Sequence, residues 1–205
     1  MATTFHVRHL PHYYRTGQPI FLTWRLHGSL PANRSFPGAI ASGRAFVAMD
    51  RLLDNARTGL AEMVVEAIRY RDQELRHFQL HNYVVMANHV HLLITPFVPV
   101  SKLMHSLKRF TAGEGNRLLG LTGKPFWQDE SYDRLVRDAG EFHRIAQYIE
   151  MNPVNAGLVA APEEFPWSSA KRAGSPPQDG ILPYNSALTR ASSATLQACA
   201  GQPRG

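Results

Sequence analysis

A single cysteine, Cys199, stands in the 205 residues. One thiol excludes an intrachain disulfide and any cysteine-based zinc site. Long apolar runs are also missing. Those present are cut by Pro96 and Pro99 and are far too short to span a bilayer, so no membrane partner is expected. The opening Met1-Ala2-Thr3-Thr4-Phe5-His6 has no apolar signal-peptide core, and a reduced, cytoplasmic setting is the expectation. Acidic residues are in deficit, 16 against 22 Lys and Arg, for a net charge of +6. That balance points to a polyanionic partner, nucleic acid before others, or to a surface that is basic and inert. No glycine-rich phosphate loop and no Ser-His-Asp order occur. No organic cofactor is therefore expected, and no internal repeat is visible.

What is present is enough for a core, since 44% of the residues are hydrophobic. Residues 1–18 are rich in His, Arg and Tyr. Pro19 to Leu26 reads as a strand, and residues 27–43, with three glycines and two prolines, as a loop. From Arg44, Phe46, Met49, Leu52, Leu53 and Ala56 recur at helical steps. A second helical segment follows Thr58-Gly59 through Met63, Val64, Ala67 and Ile68. Arg76 to Thr95 reads as two antiparallel strands turning at Met86-Ala87-Asn88. Lys102 to Leu119 predicts a helix with Leu103, Met104, Leu107 and Phe110 on its apolar stripe. Gly113 and Gly115 each cost up to about 1 kcal/mol there, and are expected to bend or shorten it. Phe126-Trp127 opens an irregular stretch, and Tyr132 to Arg137 is a short strand. Asp138 then caps a helix, with Glu141 completing a capping box. That helix buries Phe142, Ile145, Ala146 and Ile149, and Pro153 ends or kinks it after Asn152. The sum is an α+β fold, an antiparallel sheet covered by helices on one face. It occupies one domain over residues 1–170, and residues 171–205 form a tail, flexible or loosely docked.

Chemistry concentrates in two patterns. His89 and His91 sit at i, i+2 in a strand that is otherwise apolar, and so point the same way. A His-x-His triplet is weak evidence in a chain with ten histidines. Imidazoles in an apolar strand nevertheless need partners, and a metal is one. Tyr148 and Asn152 sit at i, i+4 on the later helix and share a flank of it. Asn152 is a candidate third ligand through its amide oxygen, a set that suits Mg²⁺ or Mn²⁺ without excluding Zn²⁺; by itself an Asn-Pro pair is more often a turn former. Tyr148 is a candidate nucleophile, activated beside a divalent cation; by itself it is more often a packed helix tyrosine with its hydroxyl in water. Lys102, His105, Lys108 and Arg109, with Arg134 and Arg137, are candidates for binding a phosphate backbone, or form a solvated helix face. Phe126, Trp127 and Trp167 could stack on bases, with core packing favoured for Trp127. Glu141 is a remote candidate general acid or base.

These residues carry a family resemblance. Tyr83-Val84-Val85-Met86-Ala87-Asn88-His89-Val90-His91-Leu92-Leu93-Ile94 resembles the histidine block of single-tyrosine HUH transposases, with Ala87 where proline is usual. Phe126-Trp127-Gln128, Tyr132 to Arg137, Tyr148 to Leu158, and Phe165-Pro166-Trp167-Ser168-Ser169 are similar to later blocks in the same order. The likeness is strongest to the REP-associated tyrosine transposases and runs from about Pro11 to Ala170. It implies a ferredoxin-like antiparallel sheet with helices packed on it. It implies that His89, His91 and Asn152 bind the metal and that Tyr148 is the nucleophile. The implied reaction is metal-dependent cleavage of single-stranded DNA through a 5′-phosphotyrosine, on hairpin substrates, by a monomer or homodimer. Two rival readings stay open: a domesticated hairpin-DNA-binding protein with weak or no catalysis, and a metal-dependent hydrolase using water.

Overall fold

The computed structural model describes residues 3–7, 11–29, 53 and 59–171. Most of the expected first helix, the loop beyond residue 29 and the tail from residue 172 lie outside the described residues.

Four strands form the central sheet: β3 (Ile20–Leu26), β4 (Phe78–Val85), β5 (His89–Pro96) and β6 (Trp127–Leu135). Their spatial order is β4-β5-β3-β6, antiparallel throughout. Helix α1 (Leu60–Gln73) joins β3 to β4, and α2 (Val100–Leu119) joins β5 to β6. Each helix therefore spans a split β-α-β unit, with a third strand inserted between its two strands. That is the ferredoxin-like topology. The N-terminal stretch, unassigned from sequence, forms a separate antiparallel pair of β1 (Thr3–Val7) and β2 (Pro11–Arg15).

Strict alternation divides the sheet into two faces. Ile20, Leu22, Trp24 and Leu26 point to one side, opposite Val90, Leu92 and Ile94 of β5. Helices α1 and α2 cover this side, bringing Val64, Ile68, Leu103, Leu107 and Phe110 onto it. Fully burying each such side chain contributes about 1.5–3 kcal/mol. Arg71 ties the two helices together. Its buried guanidinium donates to Ala67 O and Ser106 O and lies over the Phe110 ring.

A third helix, α3 (Ala139–Asn155), lies on the opposite side. The expectation of helices on one face is corrected here. Ile149, with Phe142 and Ile145 beside it, packs on Phe21, Val84 and Leu93, so both faces are covered. The alternation of β3 explains it, because Phe21 is too large and apolar to leave facing water.

Three local expectations also change. Helix α2 runs unbroken through Gly113 and Gly115, where a bend or early end was expected. A Cβ on Gly115 would sit 2.5 Å from the Phe126 ring, so the glycine admits that ring to the helix surface. Pro153 lies inside α3, which continues to Asn155. Trp127 opens β6 rather than an irregular stretch. Its indole donates to Thr111 Oγ1 at 2.8 Å within the core, and Phe126 is buried with it. Trp167 packs partly buried against the same core. Phe126 and Trp127 are thereby committed to the core.

Candidate functional site

The site forms where β3 and β5 run side by side on the α3 face. In the register, Thr23 faces His91 and Arg25 faces His89. All four side chains share one side of the sheet. The two imidazole rings are 4.6 Å apart between centroids.

Each imidazole is oriented through Nδ1. His89 Nδ1 is 2.6 Å from Asn88 Oδ1, which only accepts, so Nδ1 carries the proton and Nε2 is left as a bare lone pair. His91 Nδ1 is 2.7 Å from Thr23 Oγ1. With Nδ1–H donating to that hydroxyl, Nε2 of His91 has the same character. Hydrogen bonds to one ring nitrogen are how metal-binding histidines are commonly held. Burial pushes both imidazoles toward the neutral form, His91 down to about 3 and His89 well below its ordinary value. The His91 ring adds to the effect on His89, and the Arg25 charge adds to it on both. Both are therefore neutral at pH 7, the form that binds a cation.

Helix α3 sets Tyr148 above this pair. Asp138 caps the helix by accepting from Glu141 N at 2.7 Å. Half of the expected capping box is thus present. The Glu141 carboxylate goes elsewhere, accepting from the Arg137 backbone and side chain and pairing with Arg134 at 2.6 Å. Further along, Asn82 Nδ2 donates to Glu150 Oε1 at 2.8 Å, locking the helix to β4. Between these anchors the Tyr148 phenol points at His91, its oxygen 3.4 Å from Nε2. Its ring meets His91 at 5.3 Å and Phe21 at 6.2 Å, yet 47% of the residue stays exposed.

The expected residues are brought together unevenly. His89, His91 and Tyr148 converge. Asn152 is half-buried one turn beyond Tyr148, and no hydrogen bond joins it to either imidazole among the described residues. No group of three His, Cys, Asp or Glu side chains able to hold a metal occurs among the described residues. An ion here would take the two imidazoles with an amide, a phenol or water. The six candidate DNA-binding residues fall in three places. His105, Lys108 and Arg109 line a groove of about 650 Å³ between α2 and the start of β6. Lys108 is committed there, donating to the carbonyls of Gln128 and Asp129. Lys102 is exposed on the first turn of α2, outside that groove. Arg134 and Arg137 sit at the far end of β6, both engaged by Glu141. Those bonds, Arg137 first, hold the Glu141 carboxyl at about 2, so Glu141 is no general acid or base near neutrality.

Arg25 and Thr23 were not singled out from sequence. Their signal was available in the alternation of Phe21-Leu22-Thr23-Trp24-Arg25-Leu26. Thr23 and Arg25 are polar at two-residue spacing in an apolar strand, the same departure that draws attention to His89 and His91. The Phe165-to-Ser169 block also has a visible purpose. Trp167 O accepts from Val85 N, and Ser169 N donates to Tyr83 O, closing the outer edge of β4.

Two neutral imidazoles thus lie on the inner strands of a ferredoxin-like sheet, with a tyrosine-bearing helix laid over them. Residues 55–152, just under half of the chain, match the model of the family described as IS200-like transposases. The span contains His89, His91, Tyr148 and, as its last residue, Asn152. A solved structure of the REP-associated tyrosine transposase bound to a REP hairpin is similar over 86% of this chain and 89% of that one. The TM-score is 0.56 and the identity 21%, a likeness of fold. No curated protein sequence matches the chain. No helix among the described residues is long and apolar enough to cross a membrane.

Proposed function

We propose that this chain cuts and rejoins single-stranded DNA at a folded hairpin, with Tyr148 as nucleophile and Mg²⁺ or Mn²⁺ held by His89, His91 and Asn152. The observation that carries the reading is the Tyr148 phenol set 3.4 Å from Nε2 of His91, over two imidazoles whose Nδ1 atoms are already engaged. The donors fit such an ion, being two neutral nitrogens and an amide oxygen. When bound, the cation would polarise the scissile phosphate and favour phenolate.

The chain's own residues do the rest. Tyr148 gives up its proton and its oxygen attacks phosphorus. The Tyr–O–P bond forms as the bond from phosphorus to the 3′-oxygen breaks. The departing oxygen takes up a proton as a free 3′-hydroxyl, and the 5′-phosphate stays on Tyr148. A 3′-hydroxyl attacking the same phosphorus releases Tyr148 and rejoins the strand. Arg25 supplies a fixed positive charge beside this centre, where charge on the phosphate builds up. Lys102, His105 and Arg109 would meet the backbone away from the cut, so affinity should fall with salt. The hairpin is chosen because the similar solved structure holds one.

The test is a denaturing gel of protein mixed with 5′- or 3′-labelled hairpin oligonucleotides, with Mn²⁺ or with EDTA. A metal-dependent shifted band carrying the label 3′ of the cut, absent in Tyr148→Phe, is expected. An adduct that persists in Tyr148→Phe would remove Tyr148 from its role. Tight binding with no adduct on any hairpin would leave a hairpin-binding protein, and strand cleavage with no adduct would indicate water as the nucleophile.

A further inference from the structure

Large apolar side chains are seldom left in water without a use, and five described ones are exposed: Phe97, Leu118, Leu121, Tyr132 and Tyr148. Phe97 and the two leucines lie at element ends. Tyr132 instead sits in the middle of β6, directly across from Thr23, the residue that orients His91. It is 51% exposed, and its phenol makes no hydrogen bond among the described residues. Its ring stands edge-on to Phe21 at 6.3 Å. Phe21 in turn stacks on His91 at 5.4 Å and meets Tyr148 at 6.2 Å. Tyr132 and Tyr148 are thus two exposed rings that touch one buried ring, their centroids no more than 12.5 Å apart. Two residues on, Arg134 emerges on the same side of β6.

We infer that Tyr132 is a stacking platform for one unpaired base next to the scissile phosphate. The inference rests on the proposed DNA-cleaving reading and narrows it. A ring braced edge-on by Phe21 and half exposed is pre-set for stacking, and every unpaired base offers a π-face. A paired base within a duplex has both faces covered by its neighbours, so the platform selects single-stranded DNA at that position. The spacing to Tyr148 places the stacked base within about two nucleotides of the cut, given an extended strand reach of roughly 6–7 Å per nucleotide, about twice the duplex rise per strand.

The experiment measures binding without chemistry. The full chain, Tyr132→Phe and Tyr132→Ala are titrated in EDTA against a fluorescent DNA hairpin with single-stranded flanks. The oligonucleotide is used intact or with one abasic position at a time. Tyr132→Ala is expected to bind the intact oligonucleotide about tenfold more weakly, within the range for one lost base–aromatic stack, and Tyr132→Phe within about twofold of the unchanged chain, since the ring remains. The alanine penalty should vanish at one abasic position close to the cut. Unchanged affinity in Tyr132→Ala, or a penalty that persists at every abasic position, overturns the inference. If the unchanged chain binds no hairpin or single strand at all, the DNA-cleaving reading falls with it. If it binds and forms the Tyr148 adduct while Tyr132→Ala matches its affinity, only the platform is lost.

Discussion

Leu92 and His91 are neighbours on β5 and serve opposite sides of the sheet. Leu92 enters a core built from four strands and two helices, where aliphatic and aromatic side chains meet one another. His91 enters a smaller layer under α3, where a hydroxyl, a guanidinium, a second imidazole, the Phe21 ring and Tyr148 surround it. The first side can carry the stability of the fold, so the second can hold buried polar groups that would destabilise a lone core. Period-two alternation lets a single strand serve both ends.

Adjacent substitutions should break this comparison most sharply. Leu92→Ala is expected to cost about 2–5 kcal/mol of stability, read as a fall in the urea midpoint, while any folded fraction keeps its site. His91→Ala should move that midpoint far less, because it removes a desolvated imidazole along with its contacts. It should lower adduct formation more than the 10–100-fold that loss of an outer partner costs. Equal stability losses from the two would show that the α3 face is structural as well.

One step out from the imidazole, Thr23→Val keeps the side-chain shape and deletes the hydroxyl 2.7 Å from His91 Nδ1. With the ring free to change tautomer, Mn²⁺ affinity by titration should fall about 10–100-fold. Thermal stability should fall by only about 1 kcal/mol. An unchanged Mn²⁺ affinity would mean that Thr23 does not orient the ring.

On the apolar side, Gly115→Ala tests packing alone. Its Cβ would press on the Phe126 ring at 2.5 Å, and the ring can yield only against Trp127 and α2. The intrinsic gain in helix propensity, about 1 kcal/mol, should be outweighed by an overpacking cost of about 1–3 kcal/mol. A stabilised variant, measured by thermal melting, would show that the ring swings aside freely.

The same division decides what was legible in the sequence. His89, His91 and Tyr148 could be placed because spacing within one element fixes direction, two residues on a strand and a helix flank in α3. The succession of strands and helices along the chain followed from the same periodicities, whereas the ferredoxin-like arrangement was implied by the family resemblance. What stayed hidden depends on which elements meet. Gly115 looks like a helix breaker until Phe126, eleven residues on, comes to rest against it. Lys108 looks like one of four equivalent basic residues until β6 brings two carbonyls to it. Arg134 and Arg137 look like free cations until Glu141 folds back between them. Arg25 stands out in the alternation of β3, but its place beside His89 comes only from the register.

The last expected effect is one of pH, and its two parts separate in range. His91 is held neutral in the folded chain down to about 3, whereas an unfolded histidine takes up its proton near 6.5. The unfolded state therefore binds the extra proton first, and stability should decline as pH falls below about 6.5, down to about 3. Glu141 behaves differently. Its folded carboxyl titrates at about 2, below an unfolded value near 4.3. Its contribution is whole above that unfolded value and is lost as pH falls from there toward about 2. In urea melts across pH 7 to 3, His91→Asn should flatten the slope between 6.5 and 4.5 while leaving the more acid drop. Glu141→Gln should reduce the drop below 4.3 and leave the upper slope unchanged. If Glu141→Gln instead altered the upper slope, the arginine cluster at the start of α3 would be coupled to the imidazole pair, and the site would extend along α3 beyond Tyr148.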